Sequence, residues 1–122
     1  MRISVVGVCA SGKTMLVNGL RRHGYEARAC AQEHSYAPAM WQKIARPDVL
    51  IYLDAGLATI RRRRPGTTYS AQDLVVARHR LRHARQHADL YIATDDLSEE
   101  EVLTTALRFL CDLESRMTRM VE

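Results

Sequence analysis

The hydrophobic positions of the chain fall into two patterns, short apolar runs and longer segments in which apolar residues recur every three or four positions. Short runs are typical of buried strands, and the spaced pattern is typical of helices packed on one side. Four segments predict strands: Arg2–Val8, Tyr25–Ala31, Val49–Leu53 and Leu90–Ala93. Five segments predict helices: Thr14–Arg22, Ser35–Lys43, Gly56–Arg64, residues 71–87 and a last helix from Ser98 to about Met120.

Two of the predicted helices begin with a capping box. Ser70 precedes Asp73 by three residues, and Ser98 precedes Glu101 by the same interval. In this arrangement each side chain satisfies a backbone N–H group that the first turn of a helix leaves without a partner.

Strands and helices alternate along the chain, and no two strands are close enough in sequence to form a hairpin. This alternation predicts a parallel sheet whose helices lie on both faces. We therefore expect residues 1–122 to form one three-layer α/β domain. The expected sheet has four strands in the order 2-1-3-4, numbered along the chain.

Charge is unevenly distributed between the two halves of the sequence. The chain has 18 Lys and Arg against 14 Asp and Glu, a net charge of +4. Residues 1–70 carry a net charge of +7 and residues 71–122 a net charge of −3. An anion site is therefore expected in the first half. Only Lys13 and Lys43 are lysines among these bases, which makes position 13 conspicuous.

The cysteines and the apolar runs bear on the compartment. Cys9, Cys30 and Cys111 are far apart and lack the spacing of metal ligands, so we expect reduced thiols and a cytoplasmic protein. The apolar segment at the start is too short for the core of a signal peptide, and no stretch approaches 18 apolar residues. We expect no association with a membrane.

The segment Gly7–Thr14 carries the most specific signal. It reads GVCASGKT, which fits the pattern of glycine, four residues, Gly-Lys and Ser or Thr, and it lies between a predicted strand and a predicted helix. Such a loop cradles phosphates with its backbone N–H groups, while its lysine reaches the outer phosphates and its threonine hydroxyl binds Mg²⁺. The predicted nucleotide contacts are Gly7, Ala10, Ser11, Gly12, Lys13, Thr14 and Met15.

Phosphoryl transfer also needs a carboxylate near the metal and the attacking oxygen. Glu33 follows the second predicted strand, and Asp54 follows the apolar run Val49–Leu53. Ligands of open parallel sheets bind at the carboxyl ends of the strands, so both acids are candidates for the metal together with Thr14. Alternatively, Glu33 is an ordinary loop acid and Asp54 caps the next helix.

Four consecutive arginines, residues 61–64, end the third predicted helix. In the functional interpretation, these arginines belong to a lid that closes over the nucleotide, and their cations neutralise the charge of a transferring phosphoryl group. The alternative is a solvated basic surface, favoured where a helix ends.

The helix over 71–87 is also basic, but its bases spread around the helix and no aromatic residue interleaves with them. This arrangement argues against nucleic acid as a partner. The last helix has one apolar stripe and is longer than a four-stranded sheet requires, so its end is a candidate contact in a homodimer.

Taken together, the Gly7–Thr14 loop, the run Pro47–Asp54 before an arginine-rich helix, and the segment Ala88–Ile92 leading to Ser98 resemble P-loop nucleoside and nucleotide kinases. Thymidylate kinases and deoxynucleoside kinases are the most similar of these. The resemblance implies the P-loop NTPase fold, ATP and Mg²⁺ as ligands, and a kinase-like phosphotransferase.

By the same resemblance, Glu33 in Glu33-His34-Ser35 looks like the catalytic base of deoxynucleoside kinases, although His34 stands where those enzymes have arginine. Arg61, Arg62 and Arg64 match lid arginines. The segment Thr94–Leu97, Asp95 included, would lie beside the adenine.

Those kinases have an acceptor-binding segment between the P-loop helix and the strand that ends at the position of Asp54. In this sequence only about 16 residues separate Ala31 from Asp48, too few for such a segment. Three alternatives follow. The acceptor is small, a second subunit or macromolecule completes the site, or the chain is a nucleotide-binding switch or slow NTPase without a small acceptor.

Overall fold

Four strands and five helices make up the described part of the chain, residues 1–30 and 48–121 of a computed structural model. In chain order they are β1 (Arg2–Gly7), α1 (Lys13–Arg22), β2 (Glu26–Ala29), β3 (Val49–Asp54), α2 (Leu57–Arg63), α3 (Ala71–Arg80), α4 (Arg82–His87), β4 (Leu90–Ala93) and α5 (Glu99–Val121). The predicted helix over Ser35–Lys43 and the candidate Glu33 lie outside the described residues.

The four strands form one sheet in the order β2-β1-β3-β4, and every neighbouring pair is parallel. Both the parallel sheet and its strand order are as predicted. In the register, Val5 of β1 lies beside Ala29 of β2 and Ile51 of β3. The central position of β1 puts its carboxyl end, Gly7, next to Leu53 of β3.

The sheet has a separate hydrophobic core on each face. Alternate residues of β3 point to opposite faces, as the pleat requires. Ile51 packs with apolar residues of α1 and α5, and Leu50 packs with apolar residues of α2, α3 and α4. The prediction of helices on both faces is therefore confirmed.

Helix starts agree with the sequence pattern, whereas one long helix is divided. The Ser70 hydroxyl accepts a hydrogen bond from the Asp73 N–H at 3.1 Å, and Ser98 accepts one from Glu101 at the same distance. The predicted 71–87 helix consists of α3 and α4, separated at Leu81. Helical hydrogen bonds still enter and leave Leu81, so the two pieces stay nearly in line.

The last helix, α5, spans 23 residues and packs on α1. In the described residues no helix has both the length and the apolar character needed to cross a membrane.

Candidate functional site

The loop between β1 and α1 is held close to the sheet by a glycine. A Cβ atom on Gly7 would lie 2.3 Å from the Leu53 carbonyl oxygen and 2.7 Å from Ser11 Oγ, so no larger residue fits there. At the other end of the loop, Gly12 has φ +101°, a left-handed conformation that glycine adopts without strain. The loop therefore turns back on itself just before α1 begins.

Lys13 folds over this loop. Its Nζ atom donates hydrogen bonds to the Gly7 carbonyl at 2.7 Å and the Val8 carbonyl at 3.3 Å. The first turn of α1 has no acidic residue, and its N-cap, Gly12, provides no side-chain hydrogen bond. A helix start of this kind, with an ammonium beside it, attracts anions.

A cavity of about 850 Å³ opens beside the loop. Helix α3 presents one stripe to it, since Asp73, Val76, Ala77 and Arg80 follow helical spacing. The lining residues are Cys9 to Met15 of the loop and α1, together with Arg63, Arg64, Thr67, Thr68, Tyr69, Asp73, Val76, Ala77 and Arg80. Three arginines, Arg63, Arg64 and Arg80, thus line the same cavity as the Gly7–Thr14 loop.

The four consecutive arginines occupy different places. Arg64 lines the cavity, while Arg61 is exposed and Arg62 donates to the Asp95 carbonyl at 3.2 Å. Arg63, which the sequence did not single out, contacts the loop directly. Helical phase does not distinguish it, because Arg63 and Arg64 lie three and four residues after the fully buried Ile60 and therefore share its side of the helix.

Arg63 and Thr94 tie the end of β4 to the loop. One guanidinium nitrogen, Nη1, donates to the Ala10 carbonyl at 2.8 Å and to Thr94 Oγ1 at 3.0 Å, and Nη2 donates to the Thr94 carbonyl. The buried Thr94 hydroxyl also lies 3.0 Å from the Ser11 carbonyl and 3.2 Å from the Asp54 carbonyl. The Ala10 and Ser11 carbonyls of the loop are thereby held by α2 and by the residue that follows β4.

A second cavity, of about 230 Å³, adjoins the same loop. Its lining includes Ser11, Met15, Thr94, Leu97 and Val102. Two residues of the predicted adenine segment, Thr94 and Leu97, therefore lie beside the loop. Arg63, Ser98 and Glu99 also line this cavity, so its walls are partly apolar and partly polar.

The Asp95 carboxylate, in contrast, anchors the start of α2. Its Oδ1 atom accepts hydrogen bonds from the Gly56 N–H at 2.8 Å and the Thr59 hydroxyl at 2.6 Å. These two donors hold the pKa of Asp95 below its usual value of 3.8. The side chain thus has a structural function, and contact with a nucleotide remains a prediction for this residue.

We expect the Asp95→Asn variant to lose stability at neutral pH and to approach the wild type in acid. A carboxyl whose pKa is lowered by folding stabilises the protein above its unfolded pKa, and that contribution disappears as the pH falls through the folded pKa. Urea unfolding at pH 7, 4 and 2.5 would measure the difference. The matched control is Asp96→Asn, since Asp96 is exposed. An unchanged difference between Asp95→Asn and wild type at all three pH values would contradict this assignment.

Asp54, a candidate metal ligand, forms an ion pair on the α3 side of the sheet. Its carboxylate accepts hydrogen bonds from Arg78 Nε at 3.3 Å, from the Tyr91 hydroxyl at 2.8 Å and from the Ala55 N–H at 3.0 Å. Burial and this contact with Asp54 raise the pKa of Tyr91, which therefore stays protonated and donates. A metal would have to compete with these three donors.

Metal binding by protein groups alone has no support within residues 1–30 and 48–121, where no cluster of three or more His, Cys, Asp or Glu side chains occurs. Mg²⁺, however, is commonly held by one or two protein oxygens together with phosphate oxygens and water. Thr14, in the first turn of α1, lines the larger cavity and carries a hydroxyl oxygen, and its binding of Mg²⁺ remains a prediction. The second carboxylate candidate, Glu33, lies outside the described residues.

No protein-family model matches the chain, and a search of curated proteins finds no match.

Proposed function

We propose that the chain is an ATP-binding, kinase-like phosphotransferase that uses Mg²⁺. The observation that carries the proposal is the loop from Gly7 to Thr14. Its first glycine, Gly7, lies too close to β3 for any larger residue, and Gly12 has a left-handed conformation at the start of α1. Lys13 donates a hydrogen bond back to the Gly7 carbonyl. The adjoining cavity is lined by three arginines, Arg63, Arg64 and Arg80.

The chemistry of the loop fits a polyphosphate. Ser11 Oγ is buried and has no hydrogen-bond partner in the part of the chain described. Orphaned polar atoms are rare in folded proteins and are typical of sites that a ligand or water completes. On this proposal Lys13 moves from the Gly7 carbonyl to the outer phosphates, and the smaller cavity accepts the base.

The residues of the larger cavity act on the transferring group. An acceptor hydroxyl attacks the terminal phosphorus, the bond to the bridging oxygen of ADP breaks, and the proton of the hydroxyl passes to a base. We assign that base to Glu33 on the basis of the resemblance. On this proposal Arg64 and Arg80, which line the larger cavity, neutralise charge on the phosphoryl oxygens, a contribution that is greatest in the transition state.

The sequence alternative is a nucleotide-binding switch, which would bind ATP tightly and turn it over very slowly. ADP release in the presence and absence of small hydroxyl compounds separates the two functions. Release that depends on an acceptor supports the phosphotransferase. Binding of ATP·Mg²⁺ with no acceptor-dependent release supports the switch.

We expect Glu33→Gln to retain ATP·Mg²⁺ binding and to lose about 10² to 10⁴-fold in kcat, because the variant lacks the group that takes the proton. Acceptor-dependent ADP release and the ligand-induced rise in Tm are the two measurements. Glu26→Gln, which changes an exposed acid on β2, is the control. Turnover of Glu33→Gln at the wild-type rate would remove Glu33 from the mechanism.

A further inference from the structure

The lining of the larger cavity contains two chemically different groups of side chains. The first group is cationic and consists of Lys13, Arg63, Arg64 and Arg80. The second group carries three hydroxyls and a carboxylate, and it consists of Thr67, Thr68, Tyr69 and Asp73. We call these four residues the polar rim. Asp73 is the only acid among the described residues that line this cavity.

Hydrogen bonds within residues 67–73 shape the polar rim at the start of α3. The Thr67 hydroxyl accepts a hydrogen bond from the Tyr69 N–H at 3.2 Å, and the Tyr69 hydroxyl donates to the Asp73 carbonyl at 3.4 Å. The Asp73 carboxylate accepts one from the Ser70 N–H at 2.8 Å through Oδ2. A carboxylate has about four acceptor positions, so this capping bond leaves Asp73 able to accept further hydrogen bonds. Both Thr68 and Asp73 are exposed to solvent.

A triphosphate does not account for the polar rim. Phosphate oxygens carry negative charge and accept hydrogen bonds, and the Asp73 carboxylate does the same, so direct contact between them is repulsive. Guanidinium and ammonium groups, in contrast, are the natural partners of phosphate. The cations of the cavity therefore suit the nucleotide, and the polar rim suits a second ligand that donates hydrogen bonds.

The volume of the cavity allows a second ligand. Ligand cavities in proteins hold about 300 to 1,000 Å³, and this one, at about 850 Å³, is near the upper end. Room for a small molecule therefore remains beside a triphosphate. A small molecule also agrees with the short interval between Ala31 and Asp48, which is too short for the acceptor-binding segment of the kinases that the sequence resembles.

Charge narrows the chemical class of this second ligand. An anion would meet the Asp73 carboxylate, and an amine cation would meet the four cations that line the same cavity. A neutral compound with several hydroxyl groups avoids both repulsions. Each hydroxyl both donates and accepts, as the mixture of hydroxyls and carboxylate in the polar rim requires.

We propose that the phosphoryl acceptor is a small neutral polyol bound at the polar rim, where Asp73 accepts a hydrogen bond from one of its hydroxyl groups. This inference rests on the proposed phosphotransferase function. Another hydroxyl of the polyol attacks the terminal phosphorus of ATP, and the bond to the bridging oxygen breaks. The proton of that hydroxyl passes to the base proposed above, and the products are a polyol phosphate monoester and ADP. Asp73 binds and orients the acceptor and takes no part in the proton transfer.

The first test measures ADP release from ATP·Mg²⁺ with paired acceptors. Glycerol, D-ribose and D-glucose are the neutral polyols, the phosphate ester of each at its terminal carbon adds an anion, and thymidine represents the nucleosides. We expect at least one neutral polyol to raise ADP release at least tenfold over the rate without acceptor. Its phosphate ester should have a kcat/KM at least tenfold lower, because its anion meets Asp73.

The second test is the Asp73→Asn variant. Its amide oxygen still accepts from the Ser70 N–H, as Oδ2 does in the wild type, while its amide nitrogen replaces an acceptor by a donor. We expect the KM for the polyol to rise at least tenfold and the rise in Tm with ATP·Mg²⁺ to remain that of the wild type. Thr68→Val, which removes an exposed hydroxyl of the rim, should raise the same KM with the same retention of ATP binding.

The matched control is Asp112→Asn, which changes an exposed acid of α5 on the opposite face of the sheet. Its KM for the polyol should stay within twofold of wild type. An equal rise of KM in this control, or an unchanged KM in both Asp73→Asn and Thr68→Val, would remove the polar rim from acceptor binding. Loss of stabilisation by ATP·Mg²⁺ in Asp73→Asn would mean that Asp73 contacts the metal or the phosphates, which also overturns the inference.

The inference and the proposed function fail in different ways. If ATP·Mg²⁺ gave the wild-type protein no rise in Tm, the proposed function itself would be wrong. If ATP·Mg²⁺ bound and only thymidine or the phosphate esters accelerated ADP release, the phosphotransferase would stand and the neutral polyol would be wrong. ATP·Mg²⁺ binding without acceleration by any of the three polyols would also overturn the inference.

Discussion

Replacement of Lys13 by alanine is expected to abolish the rise in Tm that ATP·Mg²⁺ gives the wild-type protein. Ligand stabilisation equals RT ln(1 + [L]/Kd), so it is about 2.7 kcal/mol at a ligand concentration of 100 Kd and vanishes when affinity is lost. For a domain of this size the wild-type shift should be roughly 10 °C. Differential scanning fluorimetry of wild type and Lys13→Ala with and without ATP·Mg²⁺ measures it.

The same variant should be slightly less stable than wild type without nucleotide. A cation at a helix N-terminus is unfavourable by roughly 0.3 to 1 kcal/mol. From the sequence alone, therefore, Lys13→Ala is predicted to leave the free energy of unfolding unchanged or to raise it slightly. The structure changes this expectation, because Nζ donates to the Gly7 and Val8 carbonyls. Loss of hydrogen bonds from a charged donor costs on the order of 1 to 3 kcal/mol, which exceeds the gain.

The control for Lys13→Ala is Arg22→Ala, which removes an exposed cation from the other end of the same helix. It should retain the full shift with ATP·Mg²⁺. If Lys13→Ala also retained its shift, the bound phosphates would not depend on this lysine, and the proposed nucleotide site would be wrong.

The sheet and its strand order could be predicted from the sequence because they follow from local patterns and from general rules of connection. The run Val49–Leu53 is apolar at every position, as a strand covered on both faces must be. The division of the 71–87 helix could not be predicted. Leu81 is fully buried and continues the apolar pattern, so nothing in the sequence marks a break there.

The sequence predicts the local part of the candidate site, the loop, but not the contacts that residues distant in sequence make with it. The loop Gly7–Thr14 is a local motif, and the structure gives its two glycines a close approach to β3 at Gly7 and a left-handed conformation at Gly12. The contacts of Arg63 with Ala10 and Thr94 join residues 53 and 31 positions apart. Four adjacent arginines have the same chemistry, and only the way α2 packs decides which of them reaches the loop.

The structure also shows partners for two acids that the sequence analysis assigned to the site, Asp54 as a metal candidate and Asp95 beside the adenine. Asp54 ends β3 and Asp95 lies two residues after β4, so both lie at the carboxyl edge of the sheet, where ligands of such folds bind. Asp95 accepts hydrogen bonds at the start of α2, and Asp54 forms an ion pair with Arg78. Each of these partners lies more than 20 residues away, so a sequence pattern could not reveal that the carboxylates already have donors.

The Gly7→Ala variant is expected to be among the most destabilised single substitutions in the chain. Its Cβ atom would lie 2.3 Å from the Leu53 carbonyl oxygen, well inside van der Waals contact, and Gly7 and Leu53 are paired residues of neighbouring strands. Relief would need β1 and β3 to separate at the point where the Gly7–Thr14 loop begins. We expect a loss of roughly 3 to 4 kcal/mol in the free energy of unfolding. Urea unfolding measures it as a lower midpoint.

Gly24→Ala separates the effect of this close approach from the ordinary conformational preference of glycine. Gly24 has φ +87°, and a Cβ atom there would meet nothing within 4 Å. That substitution should cost only the strain of a left-handed alanine, about 1 to 2 kcal/mol. A midpoint for Gly7→Ala at or above that of Gly24→Ala would mean that β1 and β3 can separate without a large loss of stability. The loop would then not be fixed by its contact with β3, and the geometry on which the proposed nucleotide site depends would have to be revised.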